Sequence, residues 1–222
     1  MTCTAENKPR TLLIQLDLSA AFDMIDHNTL LRRLENTFGL SGLVIRWVQS
    51  YVNGRSQFVR VGQEQSATVA CEYGVAQGSV LGPLFYTLYV APIAGIIASF
   101  NVNHTQYADD TQLYIALDGT NTENNISSCV EAVKDWLTLD GLSLNSDKSE
   151  AIVIGTSARQ RVEGAVNAVS LGASSIAVSE SVRSLGVTID STLSFNTHVN
   201  EVCKSAHHHN KSAAAHQEMH LR

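Results

Sequence analysis

The sequence predicts an α+β domain, one globular unit or one and a half, and three observations point to it. Apolar residues alternate with period two at Leu12 to Leu18 and again at Leu113 to Leu117, the mark of strands with one buried face. Residues 124–139 carry Ile126, Val130, Val133, Trp136 and Leu137 at helical spacing. The 222 residues are 44% apolar and 16% charged with only three prolines, which excludes a disordered or collagen-like chain. A chain this long buries roughly 70–75% of its unfolded surface, so it needs no disulfide staples.

The elements follow in order. In the first strand Leu12, Ile14, Leu16 and Leu18 share one face, and Gln15 and Asp17 share the other, so Asp17 points away from the core. Asp26 is an N-cap for a helix to about Phe38, with Gly39 as its stop; Ser41 caps a second helix to about Val52. Short strands are expected at 57–61 and 67–72, then a glycine-rich turn over 74–79 and one long apolar helix over 83–100. From Tyr73 to Ala108 there is no Asp, Glu, Lys or Arg, yet prolines and glycines interrupt the run and no basic flank adjoins it, so a buried helix is expected and no membrane span. Residues 105–109 enter a turn at Asp109-Asp110 that leads to the strand ending at Leu117. After the helix at 124–139, strands are expected at 142–145, 151–154, 175–178 and 183–189. Residues 1–10 are a short lead-in. Residues 201–222, with five of the eight histidines and no apolar periodicity, read as a disordered or degenerate tail.

Cys3, Cys71, Cys129 and Cys203 are too widely spaced for a CxxC site. No charged segment followed by an apolar one opens the chain, so an intracellular, non-secreted protein with reduced thiols is expected, nuclear or cytoplasmic. The net charge of −6 argues against binding polyanions over the whole surface, but its distribution is uneven. Arg32, Arg33, Arg46, Arg55 and Arg60 stand against the single acid Glu35, whereas no Lys or Arg occurs from Val61 to Val133. The first strip suits a nucleic-acid backbone, or is a solvated helical face. The second would repel an anionic substrate unless cations intervene.

Asp17, Asp109 and Asp110 fall at strand ends or turns on elements expected in one sheet. Carboxylates that close raise one another's pKa unless a cation neutralises them. Hard oxygen donors suit Mg²⁺ or Mn²⁺, and two such ions about 3.5–4 Å apart promote in-line phosphoryl displacement. Turn chemistry alone also accounts for an Asp-Asp pair.

The segments "LDLSAAFDMIDHNTLLRRL", "GVAQGSVLGPLFYTLY", "YADDTQLY", "LSLNSDKSEAIVIG" and "RSLGVTID" occur in this order between residues 16 and 190. Together they resemble the successive palm motifs of reverse transcriptases of non-LTR (LINE-type) retrotransposons. The resemblance implies a right-hand polymerase palm over residues 11–200, an antiparallel sheet packed on helices, with fingers and thumb largely missing. It implies RNA-directed DNA polymerisation from an RNA template, a DNA primer and deoxynucleoside triphosphates. On that resemblance Asp17, the carbonyl of Leu18 and Asp109 ligate two magnesium or manganese ions, and Asp110 of the YADD motif completes the triad beside the primer end. Phe22 matches an aromatic gate that clashes with a ribose 2′-hydroxyl; without the motif it reads as a core aromatic. Gln77 and Gly78 match the segment that passes the nascent base pair. Lys148 matches a general acid for the leaving pyrophosphate, or is a solvated lysine. Apart from the resemblance, Arg46 and Arg55 are the candidate nucleic-acid contacts of the basic strip, or solvated arginines.

The chain departs from that family at Ala76, where proline is usual and would pre-set the turn. Only Lys8 and Arg10 are basic before Asp17, so few cations clamp the incoming triphosphate, and weak or no activity of the chain by itself is expected. The alternative is a non-catalytic remnant that binds nucleic acid or protein with its carboxylates inert. A metal nuclease is disfavoured, because no histidine or lysine adjoins the aspartates.

Overall fold

A computed structural model describes residues 10–76, 78–117, 122–156, 166–171 and 174–219. In chain order the elements are β1 (Arg10–Ser19), α1 (His27–Asn36), α2 (Gly42–Val52), β2 (Ser56–Gln57), β3 (Arg60–Val61), β4 (Glu64–Gln65), β5 (Val69–Ala70), α3 (Gly82–Val90) and α4 (Ile93–Ser99). They continue as β6 (Asn103–Tyr107), β7 (Asp110–Leu117), α5 (Thr122–Leu139), β8 (Ser143–Ile154), β9 (Ala168–Leu171), β10 (Ser174–Ser179), β11 (Ser181–Ser184), β12 (Val187–Asp190) and α6 (Asn196–Met219).

The period-two alternation of β1 seats it between β7 and β8 in a six-stranded sheet of order β6-β7-β1-β8-β10-β9. Neighbours are antiparallel except β10, which runs parallel to β8. Leu12, Ile14 and Leu16 of β1 lie on one face with Leu113 and Ile115 of β7, and the helices cover that face. Burying each such side chain contributes about 1.5–3 kcal/mol. On the opposite face Leu13 and Ile152 meet Val182 of the β11–β12 hairpin. Because β1 is central and its two faces are covered by different elements, its position is over-determined, and the strand ends that carry the aspartates are held by it.

Asp26 caps α1 as expected: its Oδ1 accepts the Thr29 amide at 2.7 Å. Ser41 stands at the N-cap of α2 but makes no side-chain capping bond. The single apolar helix expected over 83–100 is two helices. Gly82–Ser99 has the length and hydropathy to cross a membrane, but it is broken at Ala91-Pro92 because proline lacks the amide that would continue α3. Tyr86, Tyr89, Val90, Ile93 and Ile97 are buried in the core. The strands expected at 142–145 and 151–154 are one long strand, β8, with a register shift, and 183–189 is the β11–β12 hairpin rather than a single strand. The tail expected to be disordered from 201 continues α6 to Met219, since alanine, lysine, glutamine and glutamate favour helix without an apolar face.

Arg33 corrects the reading of the basic strip. It is buried, donating to the carbonyl of Tyr89 and, at 2.5 Å, to Oδ1 of Asp140. Its guanidinium lies 4.6 Å from the Tyr89 ring centroid and 4.9 Å from that of Trp136. It ties α1 to α3 and to the end of α5, and it offers nothing to a ligand.

Candidate functional site

The carboxylate end of the sheet is assembled by two neighbouring strands. The last register pair between β1 and β7 is Leu16 with Thr111, so Asp17 and Asp110 come next on adjacent strands at the same end. β6 and β7 pair up to Tyr107 with Asp110, which leaves Ala108 and Asp109 as the two-residue turn, one position earlier than the turn read from sequence. Ala108 takes φ 53°, a left-handed conformation that costs a side-chain-bearing residue energy and recurs where the backbone serves a site. All three carboxylates are partly buried. The carboxyl of Asp110 is raised above the usual range, first by burial and then by the charges of Asp109 and Asp17, so the three groups act on one another.

Asp17 is also gripped from the other side. β1 and β8 pair from Thr11 with Ile154 to Gln15 with Glu150, then the register jumps so that Asp17 faces Asn145. Residues 146–149 bulge outward opposite Leu16 alone. The Ser149 hydroxyl, buried in that bulge, accepts the Asp17 amide at 3.1 Å and donates to the Asn145 carbonyl at 2.8 Å. Lys148 is exposed on the same bulge, its amide donating to Asn145 Oδ1 at 3.3 Å. Its side chain therefore stands one residue from the group that holds Asp17. Leu18, whose carbonyl the resemblance assigns to a cation, pairs with Leu144 at the end of β1. Ser149 carried no signal in the sequence, because its role depends on a bulge that periodicity does not reveal.

Phe22 follows the turn after β1. Its ring packs 5.0 Å from that of Tyr86, and its carbonyl accepts the Val75 amide at 3.0 Å. The Gly74 amide donates to Ile25, and the Gly74 carbonyl lies 2.7 Å from His27 Nε2, so residues 22–27 and 73–75 are clamped together. Gly74 has φ 83°, and a Cβ there would lie 2.9 Å from the Asp23 carbonyl oxygen. Gly74→Ala is expected to cost about 1–3 kcal/mol through strain and displaced backbone, measured by chemical denaturation. Gly78, with φ 77°, has open space where a Cβ would be, so it is required by conformation and leaves the surface clear. Gln77 lies outside the described residues.

Arg46 and Arg55 are exposed. Arg55 sits 5.4 Å over the Tyr51 ring, which stacks on Trp47, so basic and aromatic groups interleave at the end of α2. Beyond it β2 with β5 and β3 with β4 form a nested hairpin, wholly exposed, on which Arg60 lies over Phe58. The distribution of charge is therefore an acidic strand end and, on α2 and the hairpin, separate exposed arginines.

Among the described residues no group of three or more His, Cys, Asp or Glu side chains is arranged to hold a metal ion. The donor chemistry fits Mg²⁺ or Mn²⁺ all the same: Asp17, Asp109 and Asp110 offer carboxylate oxygens, and the charges of Asp109 and Asp17 on Asp110 are of the kind a cation would offset.

Residues 1–189 match the family described as Reverse transcriptase (RNA-dependent DNA polymerase). The RNA-directed DNA polymerase from mobile element jockey of Drosophila funebris is 28% identical over 193 residues, covering 83% of this chain and 20% of that protein. The probable RNA-directed DNA polymerase from transposon X-element of Drosophila melanogaster is 27% identical, covering 84% and 20%. The chain thus spans about a fifth of these relatives. In fold it is similar to telomerase from Candida albicans solved with a fragment of telomeric RNA, at TM-score 0.59 and 14% identity, covering 84% of this chain and 30% of that one. Apo telomerase from Candida tropicalis gives TM-score 0.56 at 13% identity, covering 87% and 33%.

Proposed function

Because the chain belongs to the reverse transcriptase (RNA-dependent DNA polymerase) family and shares most of its length with LINE-type relatives, we propose that it is the palm of an RNA-directed DNA polymerase. Its reaction is nucleotidyl transfer from deoxynucleoside triphosphates to a DNA primer on an RNA template. One observation carries the reading: Asp17, Asp109 and Asp110 share one end of adjacent strands and act electrostatically on one another.

Two divalent cations would supply the charge that favours attack by the primer hydroxyl and departure of pyrophosphate. Asp17, the Leu18 carbonyl and Asp109 would hold them, with Asp110 beside the primer end. Phe22, braced by Tyr86 and the Val75 amide, would exclude a 2′-hydroxyl from the sugar site. Gln77 and Gly78 would pass the nascent base pair. Lys148 would hold a proton at Nζ for the leaving group, from a bulge that keeps it in solvent. Arg46 and Arg55 would follow the nucleic-acid backbone, a sequence-independent grip weakened by salt.

Incorporation of labelled dTTP on a poly(rA)–oligo(dT) duplex tests the activity, and binding of that duplex tests the grip. Replacing Arg46 and Arg55 by glutamate is expected to lower the slope of log affinity against log salt by about one per arginine. An unchanged slope removes these two residues from the interface.

A further inference from the structure

Among the described residues, α2 keeps an apolar face that no other element covers. Its inward stripe is Val48 and Val52, one helical turn apart, whereas Leu43 and Val44 are exposed and Trp47 is 54% exposed. Tryptophan is ordinarily largely buried, and a contiguous exposed apolar patch marks an interaction site. The rings here are also pre-arranged. Trp47 stacks on Tyr51 at 5.9 Å, buried Phe85 braces Tyr51 edge-on at 5.7 Å, and the Arg55 guanidinium lies 5.4 Å from the Tyr51 ring centroid. The exposed hairpin starts where α2 ends, because the Arg55 carbonyl accepts the Cys71 amide at 2.9 Å. On it Phe58 is 49% exposed, with the Arg60 guanidinium 5.6 Å from its ring centroid. Cation and ring thus alternate from Arg46 to Arg60 along one connected surface.

The charge of this surface names its occupant. Over residues 40–71 three arginines stand against the single acid Glu64, in a chain of net charge −6. Among the described residues none of Arg46, Arg55 and Arg60 pairs with a carboxylate. An apolar protein partner would desolvate these cations without a counter-charge. A base-paired duplex keeps its base faces stacked on one another and offers the rings nothing. An unpaired strand satisfies both sets of groups, its phosphates on the guanidiniums and its bases on the ring faces. We propose that α2 and the hairpin bind unpaired nucleic acid, RNA or DNA, with Trp47 and Phe58 as stacking platforms for its bases. The inference rests on the nucleic-acid grip assigned above to Arg46 and Arg55 and deepens it, and it is independent of the carboxylate centre.

Fluorescence anisotropy of labelled oligo(rU) and oligo(dT) titrated with the full chain tests the platforms, beside a blunt RNA–DNA duplex of the same length. Both strands are expected to bind more tightly than the blunt duplex, and the tighter of the two names the sugar recognised. Trp47→Ala and Phe58→Ala are each expected to weaken strand binding by about 5–150-fold, the loss of one stacked base, with little change in thermal midpoint because both rings are about half exposed. Trp47→Phe, which keeps a ring, is expected to recover much of that affinity. Trp47→Ala removes no charge, so it leaves the slope of log affinity against log salt unchanged, unlike the arginine replacements. Wild-type affinity in both alanine variants overturns the platforms and leaves the arginine grip in place. Equal binding of strands and blunt duplex by the wild type overturns the choice of unpaired nucleic acid. A wild type that binds neither overturns grip and platforms together, and dTTP incorporation by the same preparation shows whether the polymerase reading falls with them. Self-association abolished by Trp47→Ala, with no strand bound, assigns the face to a second copy of the chain and overturns the proposal.

Discussion

Asp109→Asn is expected to reduce dTTP incorporation by about 10²–10³-fold relative to the wild-type chain, measured at saturating Mn²⁺ on the poly(rA)–oligo(dT) duplex. The substitution keeps the size of the side chain and removes its charge. It therefore tests electrostatics rather than packing. Asp109 is partly buried in the turn between β6 and β7, outside the strand pairing, and the substitution keeps its volume, so stability is expected to change little. The neighbouring carboxyl should respond as well. Asp110 is raised by burial and by Asp109 and Asp17, so removing the Asp109 charge lowers it toward the ordinary range.

The sign of the pH dependence follows from that direction. A carboxyl raised in the folded state ionises first in the unfolded chain, so its contribution to stability is present at low pH and is lost as pH rises through the carboxylate range. Cation binding runs the other way. It requires the ionised form, and uptake is expected to fall as pH drops through the raised range, at higher pH than an unperturbed aspartate would give. A Mn²⁺ titration repeated across mildly acidic pH distinguishes the two trends.

Asp140→Ala is expected to destabilise the fold by about 3–5 kcal/mol, the cost of leaving a buried charge without its partner. The Arg33 and Asp140 side chains are 10% and 14% exposed, and among the described residues the Arg33 guanidinium has the Tyr89 carbonyl and two ring faces besides Asp140. Asp140 does more than neutralise: its carbonyl accepts the Tyr89 hydroxyl at 2.7 Å, a bond the substitution leaves in place. The expected fall in thermal midpoint is about 6–20 °C for a domain of this size. Replacing the pair together by apolar residues of similar volume is expected to recover much of the loss, since no uncompensated charge then remains. A loss below about 1 kcal/mol for Asp140→Ala would mean that Arg33 reaches solvent.

The parts of the fold legible in the sequence are those set by local pattern. The alternation of β1 identifies both its buried face and the outward direction of Asp17, and Asp26 caps α1 where its residue type predicts. The carboxylates converge because β1 and β7 are neighbours, an adjacency that the period of neither strand encodes. What was not legible depends on tertiary partners. The charge of Arg33 looked like part of a solvated strip until α3 and α5 closed over it. The apolar run over 83–100 is uniform in composition, so nothing but Pro92 signalled two helices. The bulge in β8 is held by the Asp17 amide donating to the Ser149 hydroxyl across strands, and no period in either strand encodes it. Tyr86 read as one apolar helix residue among several, and that its buried hydroxyl has no hydrogen-bond partner among the described residues depends on what packs over it.

Mn²⁺-induced broadening of backbone amide resonances tests the convergence of the three aspartates most directly. At substoichiometric Mn²⁺ the amides around Asp17 and those of Ala108 to Asp110 are expected to broaden first and in parallel, and Asp109→Asn is expected to abolish both sets at once. Broadening confined to the histidines of α6, or to one of the two strand ends alone, would contradict a shared centre.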